Sequence, residues 1–264
     1  MHTLNGSEAI KPRYFMQSLA KGLKVLEVIA DSELPLNLTE ISKKTGLNIA
    51  TTTRCCHTLQ VLDLIYRDGQ RRFNVTPKVL KFGYAKISRL GWIETARHRM
   101  DALAKKLGET INLSILDGNE LLYIARIKTI TAPYDIYIGS KLPLHCTAMG
   151  KVLLAFSPSQ KAKAVIDKLD YKPLTHRTIT NKEDYVSELE QVRQKGYAIN
   201  DEELSTGLRS VAAPVLDDKA WVVAALNVAV PIQRYSRSRL EMEIAPQTVE
   251  FAQKISRDIQ SMEK

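Results

Sequence analysis

Small, polar and basic side chains recur between Ala50 and His57, and they are of the types that read DNA bases. Arg54 can donate two hydrogen bonds to a guanine edge, and Ala50 and Thr53 are small enough to let a helix enter the major groove. The stretch from 50 to 57 contains no acidic side chain that would repel phosphates. This pattern predicts a helix whose exposed face contacts the major groove of DNA.

A basic β-hairpin is predicted just after this helix. Asp68-Gly69 is a strong signal for a hairpin turn, and Arg71 and Arg72 follow it, so the hairpin can hold backbone phosphates. A short helical hairpin in an ordinary core would show similar apolar spacing, but it would not require these arginines or the acid-free helix face. The candidate DNA-contacting residues are Thr39, Lys43, Asn48, Ala50, Thr51, Thr53, Arg54, His57, Arg71 and Arg72.

Two other clusters have the composition of catalytic groups. His145 and Cys146 have the composition of a base and a nucleophile, but neighbouring residues on a strand point to opposite faces, so no hydrogen bond is expected between them. For the carboxylate run at 201–203 we expect a solvated or scaffolding loop. The chain has no glycine-rich phosphate loop, Gly-x-Ser-x-Gly elbow or zinc-protease motif. We therefore predict no catalytic residue, no metal site and no cofactor, and retain an enzyme with an attached winged helix only as an alternative.

The elements that position the DNA-reading residues form a helix-turn-helix. Thr39 is the predicted N-cap of a first short helix, and Gly46 suits the left-handed residue that ends it. Asn48 is the predicted cap of the second helix. The predicted buried face of that helix consists of Thr52, Cys55, Cys56, Leu59 and Leu62, which recur at helical spacing.

A further helix, over 18–30, precedes these two. Ser18 is its predicted N-cap, because a serine hydroxyl can accept from a free N–H of the first turn. Its apolar face is predicted to consist of Leu19, Leu23, Leu26, Ile29 and Ala30. Tyr66 and Phe73 flank the hairpin turn and should cover the small core. Three helices followed by a β-hairpin make a winged helix-turn-helix.

The region after the hairpin predicts a linker helix and a second, α+β domain with a largely antiparallel sheet. Thr76 and Pro77 form a strong helix start, and the helix is expected to run to about Leu90. Predicted helices cover 94–107, 148–156, 159–169, 182–195 and 244–262, and predicted strands cover 111–115, 122–127, 136–138, 197–199, 210–215 and 221–230. The predicted boundaries are a tail over 1–16, a winged helix-turn-helix over 17–76, a linker helix over 77–90 and a second domain over 91–264.

Positive charge is concentrated at the amino-terminal end. The chain has 264 residues and a net charge of +9; residues 1–90 hold 14 Lys/Arg against 7 Asp/Glu, whereas 91–264 hold 24 against 22. The excess thus accompanies the helix-turn-helix, as a DNA-binding module requires. Three cysteines without metal-ligand spacing fit a reducing compartment. No signal region is present and no apolar run approaches the length of about 20 residues that spans a bilayer, so we expect a cytoplasmic protein without membrane association.

The chain resembles the IclR family of bacterial transcription regulators over nearly its whole length. The resemblance is carried by SLAKGLKVLEVIA at 18–30, the helix-turn-helix with its hairpin, LPLHCTAMGKVLLA at 142–155, and GYAINDEELSTGLRSVAAPVLDD at 196–218 followed by WVVAALNVAVP at 221–231. Asn200 departs from the family pattern, which has Asp or Ser there. The segments FMQSLAKGL, VTPKVLKFGYA, CTAMGKVLLA and AALNVAVP are similar to the subgroup that regulates catabolism of aromatic acids such as protocatechuate and 4-hydroxybenzoate.

This resemblance implies a GAF-like effector-binding domain after the linker helix, double-stranded operator DNA as a partner, and a homodimer or homotetramer. It also implies a pocket for a small organic acid, lined by Thr147, Ala148, Met149, Asn200, Leu208, Ser210, Asn227 and Ala229. Free N–H groups at the start of the 148–156 helix suit a carboxylate. We expect a monoaromatic carboxylate as the effector, with a small aliphatic oxoacid as the alternative. Arg126 is expected either to pair with the carboxylate or to lie exposed on its strand.

Overall fold

The residues before and after position 86 pack into separate cores in the computed structural model, which describes residues 14–129 and 136–262. Two units result, Met1–Lys86 and Ile87–Lys264. Most of the predicted tail over 1–16 lies outside the described residues. The described elements of the first unit are helices α1 (Gln17–Ala30), α2 (Leu38–Thr45) and α3 (Ile49–Val61), and strands β1 (Ile65–Arg67) and β2 (Phe73–Val75). The strands pair antiparallel, so the predicted winged helix-turn-helix is confirmed.

The caps of the first two helices differ from the prediction. Asn37, and not Thr39, caps α2: its Oδ1 accepts from the Glu40 N–H at 3.0 Å, and the Glu40 carboxylate accepts from the Asn37 N–H at 2.8 Å. This reciprocal capping box satisfies two free N–H groups, which a single threonine would not. Helix α1 starts before Ser18, with Met16 at the N-cap position and no side-chain cap.

The core of the first unit differs from the predicted faces at five apolar residues, of which Ala30 is exposed at the last position of α1. Leu19 and Leu23 are 58% and 49% exposed, because α2 and α3 pack on the side of α1 that carries Val25. Leu62 lies one residue beyond the end of α3 and is exposed, as is Tyr66. The buried apolar residues are Val25, Ile29, Leu36, Ile41, Cys56, Leu59, Ile65 and Phe73.

The predicted helix start after the hairpin is confirmed. The Thr76 hydroxyl accepts from the Lys78 N–H at 3.3 Å, and Pro77 opens a short 3-10 turn, Pro77–Val79. Helix α4 (Leu80–Ile87) follows and ends three residues before the predicted Leu90.

The second unit is built on a six-stranded antiparallel sheet of order β5-β4-β3-β8-β7-β6. Its strands are β3 (Thr110–Asp117), β4 (Glu120–Ile127), β5 (Lys141–Pro143), β6 (Ala198–Asp201), β7 (Leu208–Leu216) and β8 (Val222–Pro231). Its helices are α5 (Ile93–Leu107), α6 (Ala148–Ala155), α7 (Ser159–Ile166), α8 (Lys182–Lys195), the short α9 (Arg237–Arg239) and α10 (Ala245–Met262), with a π-helical turn, Leu240–Ile244, before α10. The α+β prediction is confirmed.

Helices cover both faces of this sheet. Residues such as Ile111 and Leu113 belong to the core that contains α5 and α10, whereas Tyr123 and Ala225 belong to the core that contains α6, α7 and α8. Side chains alternate along each strand, so Asn112 lies on the α6 side between Ile111 and Leu113.

The third strand was predicted in the wrong place. Ile136 and Ile138 lie outside any strand, and β5 is formed by Lys141–Pro143, which pairs with β4. Ser140 and Gly139 instead bond the Tyr123 backbone, so the chain turns before it joins the sheet edge.

Candidate DNA interface and ligand cavity

Helix α3 presents the predicted DNA-reading side chains. Asn48 caps it as predicted, since its Oδ1 accepts from the Thr51 N–H at 2.8 Å. The left-handed Gly46, at φ 69°, ends α2 and lets the chain turn into α3. Ala50, Thr53, Arg54 and His57 are all exposed on the side of α3 opposite the buried Thr52, Cys56 and Leu59. Of the remaining candidates in this motif, Thr39, Lys43 and Asn48 are exposed and Thr51 is half-buried.

The two arginines of the hairpin have different surroundings. Arg71 is exposed at φ 62° in the turn. Arg72 is half-buried: its guanidinium donates to the Pro35 carbonyl oxygen at 2.8 Å and lies 3.5 Å from the Glu40 carboxylate. The Arg72 side chain therefore links the hairpin to the segment that starts α2. Among the described residues, the Arg71 side chain makes no such contact with that segment.

A cavity of about 30 Å³ opens between the sheet and the start of α6. All of the predicted pocket residues line it, namely Thr147, Ala148, Met149, Asn200, Leu208, Ser210, Asn227 and Ala229. Arg126, for which the sequence left two alternatives, also lines the cavity. The sequence did not predict the other lining residues, which are Thr110, Asn112, Tyr123, Ile136, Leu204 and Val230.

The strand register explains why residues far apart in the chain meet here. Asn112 on β3 lies opposite Asn227 on β8 and opposite Arg126 on β4, which forms one cross-strand row. A second row comprises Thr110, Ala229, Ser210 and Asn200. Both rows lie on the α6 side of the sheet. On β3 and on β8 the members of the two rows are two positions apart, so their side chains point to the same face.

The start of α6 is fixed by two contacts. The Thr147 hydroxyl donates to the Pro143 carbonyl oxygen at 2.9 Å and accepts from the Gly150 N–H at 3.1 Å. The Gly150 N–H is therefore capped by Thr147 and is not open to a ligand, contrary to our expectation. The N–H groups of Ala148 and Met149 lie in the first turn, where no intrahelical partner exists.

Gly150 is required by close packing. A Cβ atom at this position would lie 2.2 Å from the Leu144 carbonyl oxygen and 2.4 Å from the Leu144 Cα. The glycine thus lets α6 approach the preceding turn and brings its first residues to the cavity wall.

The acidic segment after β6 carries buried charges. Of the two expectations for it, the scaffolding loop fits the structure and the solvated loop does not. The Lys151 side chain is 2% exposed, and its ammonium donates to Glu203 at 2.7 Å, Glu188 at 2.9 Å and the Ile199 carbonyl oxygen at 3.2 Å. Burial raises the pKa of the Glu203 carboxyl, and the Lys151 charge opposes that rise. The Glu203 N–H donates to Asn200 Oδ1 at 2.8 Å, so this scaffold holds a cavity-lining side chain.

His145 and Cys146 lie in a turn after β5, and not on a strand as expected. His145 Nε2 lies 3.0 Å from the Lys172 carbonyl oxygen. Burial raises the pKa of the Cys146 thiol to about 12, so the thiolate needed for nucleophilic attack does not form at neutral pH.

The fold and these two sites define a class: a winged helix-turn-helix joined to an α+β unit with an internal ligand cavity. Two family models match the chain, "IclR helix-turn-helix domain" at residues 18–69 and "Bacterial transcriptional regulator IclR C-terminal" at residues 84–257. The chain belongs to the IclR family of transcription regulators. It is accordingly a DNA-binding, effector-responsive regulator and not an enzyme.

Curated relatives and a solved structure agree with this assignment. The chain is 36% identical to the Pca regulon regulatory protein of Pseudomonas putida, over 88% of this chain and 80% of the relative. It is 30% identical to the p-hydroxybenzoate hydroxylase transcriptional activator of Acinetobacter baylyi, over 92% and 91% of the two chains. A crystal structure of a transcriptional regulator from Rhodococcus sp. RHA1 matches with a TM-score of 0.80 and 35% identity, over 94% of this chain and all of that one.

Among the described residues, no helix combines the length and the apolar content needed to cross a membrane.

Proposed function

We propose that this protein regulates an operon for aromatic-acid catabolism and that a monoaromatic carboxylate, bound in the cavity at the start of α6, is its effector. The observation that carries the proposal is the lining of that cavity. Met149, Leu208 and Tyr123 provide apolar walls, and two rows of polar side chains cross the sheet beneath them. The names of the Pseudomonas putida and Acinetobacter baylyi relatives support the same class of acid.

The effector must enlarge the cavity. A volume of about 30 Å³ holds little more than ordered water, because one water needs about 10–15 Å³ of such space. Met149 is the side chain best suited to move, since methionine is unbranched and adaptable. Its sulfur accepts a weak hydrogen bond from the Ser114 hydroxyl at 3.1 Å, which a ligand can replace at small cost.

In this proposal, the carboxylate of the effector lies at the start of α6. The N–H groups of Ala148 and Met149 lie at the positive end of the α6 dipole and can donate to an anion. Arg126 lines the same cavity from β4 and adds a positive charge. The aromatic ring then lies against Met149 and Leu208.

The working unit on DNA is a homodimer, and two such dimers can associate into a tetramer. Leu19 and Leu23 of α1 are about half exposed, and Leu80, Phe82 and Tyr84 of the linker are 65–71% exposed. Apolar surface of this extent is typical of a protein–protein interface. One chain has one recognition helix, whereas a palindromic operator requires two at a spacing of about 34 Å. A regulator that binds operator DNA acts where the DNA is, so we place the protein in the cytoplasm.

A small aliphatic oxoacid remains the competing effector. The cavity volume favours it, since such an acid needs less rearrangement of Met149. The apolar side chains of Tyr123, Met149 and Leu208 in the cavity lining favour an aromatic ring instead.

The test starts from a palindromic duplex that the full-length protein selects from a random pool. Fluorescence anisotropy then measures its affinity while 4-hydroxybenzoate, protocatechuate, benzoate and pyruvate are added in turn. We expect an aromatic acid to change the operator affinity at least several-fold, and Ser210→Ala to weaken that response without altering the affinity of the free protein. A response to pyruvate alone would assign the protein to the oxoacid class.

A further inference from the structure

A chain of hydrogen bonds fixes the polarity of one end of the cavity. Asn227 Nδ2 donates to the Val211 carbonyl oxygen at 3.2 Å, and Asn112 Nδ2 donates to Asn227 Oδ1 at 2.9 Å. Asn112 and Asn227 face each other across β3 and β8, and both are at least 97% buried.

The direction of this chain is dictated by the Val211 carbonyl. A carbonyl oxygen only accepts, so the Asn227 atom beside it must be the nitrogen, and the other Asn227 atom must be the oxygen. That oxygen in turn requires the nitrogen of Asn112 as its donor. Neither amide can be turned over without losing a bond. The remaining polar atom of Asn112 is therefore an oxygen, which only accepts.

This Asn112 Oδ1 atom is buried and has no hydrogen-bond partner among residues 14–129 and 136–262. A buried carbonyl without a donor is costly, and such groups in folded proteins are normally satisfied by protein, water or ligand. Asn112 also lines the ligand cavity, so a molecule bound there can supply a donor.

We infer that Asn112 Oδ1 accepts a hydrogen bond from a hydroxyl of the effector, and that the effector is consequently a hydroxy acid. The inference rests on the proposed effector site and adds to it a requirement for a donor. An ionised carboxylate has only acceptor oxygens and is repelled by Asn112 Oδ1. The acid group therefore lies toward the start of α6, and the hydroxyl lies toward β3.

The same bonds define the role of Asn227. One polar atom of the Asn227 side chain bonds Asn112 and the other bonds the Val211 carbonyl oxygen, so Asn227 fixes the orientation of the Asn112 amide. The donor requirement also separates the two effector classes, because an ionised aliphatic oxoacid in its keto form has no hydroxyl.

Calorimetry on the full-length protein tests the inference with ligands that differ by one hydroxyl. The pairs are 3- or 4-hydroxybenzoate against benzoate, and lactate against pyruvate. We expect at least one hydroxy acid to bind about tenfold more tightly than its partner. In Asn112→Leu, which has similar volume and no acceptor, the ratio should fall to within twofold.

Asn112→Leu leaves Asn227 Oδ1 without its donor, so a second variant guards against misfolding. The double change Asn112→Leu with Asn227→Leu removes both partners and should also lose the preference while the thermal transition stays cooperative. Equal binding within each pair by the parent protein would overturn the inference and leave the effector site standing. A preference that persists in both leucine variants would also overturn it. If none of these acids binds, the proposed effector site fails together with the inference.

Discussion

Arg54 and Arg71 carry equal charges, but we expect them to make different contacts on DNA. Arg54 lies on the exposed face of the recognition helix, whereas Arg71 lies at the exposed turn of the wing. Bidentate contacts from arginine to guanine select sequence, and contacts to phosphates do not.

Arg54→Ala should lose about 1–3 kcal/mol of operator binding and most of the discrimination against unrelated duplexes. Arg71→Ala should weaken all duplexes about equally and reduce the slope of affinity against salt by about one. Anisotropy titrations at several salt concentrations measure both quantities. Unchanged operator affinity in Arg54→Ala would remove Arg54 from the reading face.

Arg72→Ala should in addition lower the melting temperature of the first unit, since Arg72 bonds the Pro35 carbonyl.

His145 gives a prediction about pH. Burial lowers the pKa of this imidazole, although the contact with the Lys172 carbonyl and the charge of Asp170 oppose the effect. The folded state thus favours the neutral ring. Stability from this residue is present above the unfolded pKa of about 6.5 and is lost as pH falls through that value toward the lower folded pKa.

The parent protein should therefore lose more stability between pH 7.5 and pH 5 than His145→Gln, because glutamine keeps a donor for the Lys172 carbonyl and does not titrate. Urea unfolding at each pH measures the difference, and carboxyl groups that titrate in the same range affect both proteins alike. Equal losses in the two proteins would show that His145 is protonated as readily in the folded chain as in the unfolded one.

At the scale of elements, the position of α6 determines which groups reach the cavity and the acidic loop. The helix brings the Ala148 and Met149 N–H groups to the cavity, and its Lys151 ammonium holds the acidic loop after β6. Close packing at Gly150 sets how near α6 lies to the Leu144 backbone.

Gly150→Ala should destabilise the second unit by about 1–3 kcal/mol, because the added methyl meets backbone atoms that cannot rotate away. This outcome is opposite in sign to the gain of about 1 kcal/mol that alanine brings to a helix interior. Gly91→Ala is the matched control, since a Cβ there would meet no atom within 4 Å. Urea unfolding of both variants measures the effect, and equal stabilities would show that α6 can shift freely. Effector binding should weaken in Gly150→Ala alone.

At the scale of the whole molecule, the exposed apolar residues of the first unit are the surface that we expect the dimer to cover. Phe82 and Leu80 of α4 are 65% and 69% exposed, and we expect them to be covered in the dimer. Leu34 is 72% exposed on a loop of the same unit and provides a comparison.

Phe82→Asp should convert the dimer to monomers at micromolar concentration and lower operator affinity by at least tenfold, because buried charge disfavours an apolar interface. Light scattering gives the mass, and anisotropy gives the affinity. Leu34→Asp should leave both unchanged. A parent protein that is monomeric when bound to its operator would contradict the two-chain arrangement.

The sequence by itself determined the elements and most of their ends. Asn48 and Thr76 act through bonds to N–H groups within three residues, and Gly46 acts through its own left-handed backbone conformation. The periods of 3.6 and 2 are visible in a short window of the chain. The family resemblance located all eight cavity residues that were predicted, since these belong to contiguous motifs.

Only the tertiary structure decided which side of an element is buried and which polar groups meet. Leu19 and Leu23 have the same spacing as a core face, but the packing of α2 and α3 on Val25 and Ile29 leaves them exposed. The capping of α2 by Asn37 is by contrast a local interaction, which the sequence contains although Thr39 was predicted as the cap. The bond between Asn112 and Asn227 joins residues 115 positions apart and was not available from any local pattern. Cross-strand register is set by the packing of the whole sheet, so the acceptor at the base of the cavity exists only once β3 and β8 are paired.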